Sequence, residues 1–153
     1  MYRSAARIAM EERTIRKRRR GTAIVEYEKG VLVVTMNGKA YLTPGGGAHR
    51  NESRMQAVIR EIKEETGIEP YFSMAIFRYS GPKRRAHQNV HTVYYIKATG
   101  TPKPKEEITR VAYHTPGCSL ILSTETREIL DRFYAYKEKN KALFDMIKTI
   151  KPA

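Results

Sequence analysis

Glu61, Glu64 and Glu65 stand close together in the run Arg60-Glu-Ile-Lys-Glu-Glu-Thr-Gly-Ile68. In a helix they fall at i, i+3 and i+4, which stacks three carboxylates on one face. Like charges at that spacing repel, so the fold must either leave the face in water or set a cation against it. A solvated acidic face satisfies the first case. A hard divalent cation held by carboxylate oxygens satisfies the second. Met55, Val58, Ile59 and Ile62 form a contiguous apolar band beside the acids, so one face of the predicted helix docks on a core while its neighbour presents charge. Ala57 falls near the acidic face, where a small side chain lets a loop or ligand approach. Gly67 is placed to end the helix in left-handed backbone.

Pro44-Gly-Gly-Gly47 leads into this helix. Such a loop turns closely and can offer backbone amides or carbonyls to a ligand. From Gly46, five residues intervene before Glu52 and seven more before Arg60-Glu61; Ile62, Glu64-Glu65 and Gly67-Ile68 follow. With all nine positions filled, the segment 46–68 resembles the complete signature of the Nudix hydrolases.

That resemblance implies an α/β fold, a Nudix-type α/β/α sandwich with a mixed β-sheet. It further implies hydrolysis of a pyrophosphate bond in a nucleoside diphosphate linked to another group, with Mg²⁺, or Mn²⁺ in its place, as cofactor. Glu64 and Glu65 would be metal ligands, and Glu61 would join them or deprotonate the attacking water. Gly45 would offer its backbone carbonyl to the metal. Arg60 and Glu52 would form a salt bridge tying the loop to the helix, the alternative being Arg60 as a phosphate clamp. One more acid from outside the motif is expected, with Glu106 and Glu107 as candidates and Glu107 placed in the metal set; a solvated pair is the other reading. Pro82 lies near, but out of register with, the proline associated with ADP-ribose-cleaving relatives.

The 29 basic against 16 acidic residues give a formal charge of +13, with several of the acids gathered in the motif. The remaining surface is cationic, which suits a polyanionic partner such as a nucleotide, an RNA end or an inositol polyphosphate, or serves solubility alone. Lys83, Arg84 and Arg85, in a polar segment, are candidate substrate-binding residues. His87 and His91 in the adjoining stretch define no metal site by spacing alone. A single cysteine, Cys118, excludes an internal disulfide and reads as a small buried residue. No apolar stretch has the length of a membrane span, and a reducing, cytoplasmic setting is expected. Arg3 and Arg7 faintly suggest a targeting peptide, but Glu11 and Glu12 follow at once.

Along the chain, residues 1–20 read as a basic N-terminal arm, or first-strand flank, ending in Arg16-Lys-Arg-Arg-Arg20. Residues 21–153 read as a single domain. Strands are predicted over 22–28, 31–36 and 39–42, with Asn37-Gly38 as a type I′ hairpin turn. Further strands follow over 71–79, 90–98 and 108–114, with a loop at 100–107. Ser123 is a plausible N-cap for a helix bearing Ile129, Leu130 and Phe133, and a second or continued helix carries Leu143, Phe144 and Ile147. Three functions fit: a pyrophosphohydrolase of small nucleotide substrates, an enzyme on RNA 5′ ends, and a non-catalytic polyanion-binding protein. A homodimer is compatible with each. Three stacked glutamates serve no purpose in the last.

Overall fold

The computed structural model describes residues 4–7 and 15–153. Of the arm expected over 1–20, positions 1–3 and 8–14 lie outside the described residues, and Arg16-Lys-Arg-Arg-Arg20 forms the first half of strand β1 (Arg16–Ile24). β1 therefore starts six residues before the predicted position 22. Its basic half has no apolar alternation to mark it as a strand. What holds it there is a parallel ladder to β6 (His87–Thr99), running from Arg16↔His87 to Ile24↔Tyr95.

β1 and β6 are the centre of a four-stranded sheet, ordered β4-β1-β6-β5, with β4 (Gly45–Gly47) and β5 (Glu69–Ser80) antiparallel at the edges. A second, antiparallel sheet is ordered β2-β3-β7, from β2 (Glu26–Tyr27), β3 (Gly30–Thr35) and β7 (Arg110–His114). Side chains alternate across the first sheet. Ala23, Tyr94 and Ile96 pack with Val58, Ile62 and Ile68 on the side of helix α1 (Arg54–Thr66). Ile24, Val93 and Tyr95 pack with Ile129, Leu130 and Phe133 of helix α2 (Thr124–Lys139) and Phe144 and Ile147 of helix α3 (Lys141–Lys148). A mixed sheet between helical layers is the α/β/α sandwich expected.

Helix α1 begins at Ser53, whose hydroxyl accepts the Gln56 N–H at 3.0 Å while the Gln56 side chain accepts the Ser53 N–H at 2.9 Å. This reciprocal cap fixes where the helix leaves the glycine loop. Gly67 ends it at φ 74°, its N–H bonded to the Lys63 carbonyl, as its position predicts. Val58 and Ile62 are buried, but Met55, expected in the docking band, is 38 % exposed. It sits in the first turn, where the Arg54 carbonyl lies against Gly21 of β1.

The Asn37-Gly38 turn differs from expectation. A type I′ turn needs positive φ at both central residues, yet only Gly38 has it. Instead Thr35 Oγ1 donates to the Ala40 carbonyl at 2.8 Å, and Asn37 Oδ1 accepts the Lys39 N–H at 2.8 Å. These side-chain bonds round a longer loop, and 39–42 forms an isolated bridge to β3 at Val34↔Leu42 in place of a strand. Cys118 is half-buried, not buried as expected. No helix among the described residues is long and apolar enough to cross a membrane.

Candidate active site

A cavity of about 680 Å³ opens between β4 and the end of α1 on one side and β1, β6 and the start of α2 on the other. On the first wall, Glu65 sits buried with Oε1 accepting the Gly45 N–H at 3.0 Å. Beside it, Glu61 occupies the space that a side chain on Gly46 would take; a Cβ there would lie 2.6 Å from the Glu61 carboxylate. Only glycine admits the acid this close to the loop. Burial foremost, with the neighbouring charges of Glu61 and Glu107, pushes the Glu65 carboxyl up to about 8 despite the Gly45 bond.

Behind these acids Arg60 acts as a clasp. Its Nε and Nη2 grip Glu52 at 2.8 and 3.0 Å, Nη1 reaches Glu61 at 2.9 Å and Glu64 at 3.3 Å, and Nη2 reaches the Gly47 carbonyl at 3.3 Å. Glu52 in turn accepts the His49 N–H at 2.9 Å. The Arg60 bonds, with His49 second, hold the Glu52 carboxyl down to about 2. Helix and loop are thus fastened by one guanidinium, the geometry of a salt bridge and not of a free phosphate clamp.

The second wall is built from residues far apart in sequence. His91 Nδ1 lies 2.7 Å from Thr22 Oγ1, and His91 Nε2 lies 3.1 Å from Glu125 Oε2. Asn89 Nδ2 also donates to Glu125, at 3.2 Å. Burial pulls the His91 pKa below its usual value, so the ring is neutral at neutral pH. A carboxylate only accepts, so Nε2 carries the proton, and Nδ1 accepts from the Thr22 hydroxyl.

The residues singled out by sequence divide accordingly. Gly45, Glu61, Glu65, Glu107 and Arg84 line the cavity, whereas Lys83, Arg85, Glu106 and Glu64 do not. Glu64, 48 % exposed, is turned to Arg60. The residues that sequence reasoning missed are Glu125, Thr22, Asn89 and Arg20, all lining the same cavity. His91 was noticed without a role. No local pattern marks this second set, because only the β1–β6 pairing and the approach of α2 bring it together.

Among the described residues, no three His, Cys, Asp or Glu side chains converge into a ready cage for an ion. The donor set nevertheless suits a hard divalent cation, since it is carboxylate oxygen beside a glycine backbone, with Glu65 raised by burial first and by the neighbouring charges of Glu61 and Glu107 after it. Glu65 and Glu61 both face the cavity, Glu61 with its Oε1 held by Arg60 Nη1 at 2.9 Å. Glu64 would join by exchanging its bond to Arg60.

Comparison with known proteins agrees with this geometry. The NUDIX domain family matches residues 16–135. A nudix hydrolase family member from Chromobacterium violaceum superposes with a TM-score of 0.72 and 39 % identity, over 86 % of this chain and 90 % of that one. The E. coli ORF135 protein shares the fold at a TM-score of 0.70 and 19 % identity, over 82 % of this chain and 94 % of its own. Two curated relatives match in shorter stretches. An ADP-ribose pyrophosphatase of Methanocaldococcus jannaschii is 31 % identical over 77 residues, 48 % of this chain and 46 % of its own. An RNA pyrophosphohydrolase of Hydrogenovibrio crunogenus is 41 % identical over 51 residues, 27 % of this chain and 31 % of its own. The chain thus matches less than half the length of either curated relative. The acidic helix clasped to its glycine loop, the sandwich that carries it and the family match over 16–135 together make this chain a member of the Nudix hydrolase family.

Proposed function

We propose that this chain is a divalent-metal-dependent pyrophosphohydrolase that cleaves a phosphoanhydride bond in a nucleoside diphosphate linked to a further group. The observation that carries the reading is Glu65, a buried carboxylate raised to about 8, set between the Gly45 N–H and the acids Glu61 and Glu107. The names of the two curated relatives support it, since both reactions centre on a pyrophosphate and differ in what is attached.

Glu61, Glu64 and Glu65 would hold the metal, with the Gly45 carbonyl and Glu107 as further donors. When bound, Mg²⁺ or Mn²⁺ supplies charge neutralisation at the phosphates and makes a nearby water more acidic. Arg20 and Arg84, both lining the cavity, neutralise the remaining phosphate charge. Glu61 or Glu107 takes the proton from the attacking water. Arg60 keeps Glu61 and the Gly47 carbonyl in register, so that acid and loop do not drift apart.

Hydrolysis in ¹⁸O-labelled water tests the reaction class. The label is expected on a phosphate of one product, and activity is expected to vanish with chelator and return with Mg²⁺. Label on a sugar hydroxyl, or turnover indifferent to chelator, would overturn the proposal.

A further inference from the structure

We infer that the site extends beyond its cavity as a track for the backbone of a single-stranded, 5′-phosphorylated nucleic acid, laid along the outer half of β1 by Arg20, Arg18 and Arg16. The inference rests on the cavity being a site of pyrophosphate hydrolysis, and it names the group attached to the nucleoside diphosphate as a polynucleotide chain.

The two faces of β1 are identified by their contacts. Gly21 abuts α1, where an added Cβ would stand 3.0 Å from Val58 Cβ. Arg19 on the same face reaches the Glu52 carbonyl at 3.1 Å, and Ala23 packs with Val58 and Ile62. The other face carries Ile24 in the α2-side core, Thr22 bonded to His91, and Arg20 in the cavity lining. Strand alternation then puts Arg18 and Arg16 on the cavity face. The parallel register agrees, since Arg20 pairs with His91 and Arg18 with Asn89, two cavity residues, and Arg16 pairs with His87. Three arginines therefore run outward in line from the catalytic acids.

Their spacing selects the ligand. Alternate residues of a strand are about 6.6 Å apart, so Arg20 to Arg16 spans roughly 13 Å. That step is comparable to the distance between neighbouring phosphates in an extended single strand. Inorganic polyphosphate packs its charges more tightly, and a mononucleotide ends at Arg20 and Arg84. Arg16 and Arg18 are exposed, and neither they nor Arg20 form a side-chain hydrogen bond or ion pair among the described residues. Acids on this face are already engaged: Glu125 by His91 and Asn89, Glu128 by the Tyr79 hydroxyl. The positive field of the row is thus left for a partner.

The test is binding of 3′-fluorescein oligoribonucleotides with a 5′-monophosphate, from one to about six nucleotides long, followed by anisotropy across a salt series. Affinity is expected to rise over the first few nucleotides and then level off. Arg16→Thr/Arg18→Thr, which keeps strand-favouring residues at exposed positions, is expected to weaken the longer oligomers about tenfold at low salt. It should also lower the slope of log K against log salt by about 1.4, the loss of two single-strand phosphate contacts. The charge-matched variant Lys17→Thr/Lys139→Thr, with Lys17 on the opposite face of β1 and Lys139 at the end of α2 remote from the cavity, should leave both unchanged. Affinity independent of length, equal losses in the two double variants, or tighter binding of inorganic polyphosphate would overturn the track. Length-dependent binding by a protein that hydrolyses no nucleotide would sink the reaction and leave the track. Hydrolysis of nucleotides without length dependence in binding would do the reverse.

Discussion

On the α1 wall of the cavity, Glu52, Arg60, Glu61 and Glu64 are fastened to one another within a single loop and helix. On the opposite wall, Glu125 is fastened to His91 and Asn89, which precede it by 34 and 36 residues. The charge balance differs as well. On the first wall Arg60 sits behind the acids and serves three of them, leaving Glu65 buried with the Gly45 N–H as its hydrogen-bond donor and its pKa high. On the second, a neutral imidazole and an amide both donate to one carboxylate, while the buried Asn89 Oδ1 has no hydrogen-bond partner among the described residues. The first wall keeps a buried acid unpaired by any cation among the described residues, and the second gives the cavity its shape.

Glu64→Gln and Glu65→Gln attack this contrast most directly. Each is expected to lower turnover at least about a hundredfold, beyond the roughly 10–100-fold that follows loss of an outer-shell partner, because these acids would hold the metal itself, while the metal-free melting temperature holds or rises because the crowding of carboxyls on one helix face is relieved. Turnover within a few-fold of the parent would remove these acids from the machinery. Arg60→Ala should come next, with kcat/KM reduced about tenfold, the usual consequence of losing a residue that orients ligands. Rate and melting temperature should fall together, since the same side chain holds Glu52 and the Gly47 carbonyl. A variant that loses rate but melts like the parent would favour Arg60 as a phosphate clamp.

On the second wall the expected damage is to stability. Glu125→Ala strands the donors of His91 and Asn89, and should cost about 1–3 kcal/mol in urea unfolding. An unchanged unfolding midpoint would mean that water satisfies both groups and that Glu125 does not hold this wall together.

The remaining effects are in pH, and their signs should be opposite. His91 has a folded pKa below its ordinary 6.5, so the unfolded chain binds more protons just below that value and stability is lost as pH falls through the folded pKa. Glu65 has a folded pKa of about 8 against 4.5, so in chelator-treated protein its contribution is present below 4.5 and lost as pH rises through about 8. Melting curves of the metal-free protein should therefore flatten on the acid side in His91→Gln and on the alkaline side in Glu65→Gln. Flattening on the same side in both would refute the contrast.

The α1 wall was legible in the sequence because a helix converts spacing directly into geometry. The i, i+3, i+4 acids, the Arg60–Glu52 pair and the left-handed Gly67 all act within a few turns of chain, where the backbone fixes which side chains meet. Local reasoning faltered where side chains could override it, as Thr35 and Asn37 do in rounding the Asn37-Gly38 loop, and where a strand carried no apolar alternation, as in Arg16–Arg20. The tertiary structure alone decided that this basic run pairs in parallel with β6, and that Thr22, Asn89, His91 and Glu125 meet across the cavity. Parallel pairing and helix docking join segments whose separation leaves no periodic mark, because the contacts are set by packing of the whole core and not by the residues between them.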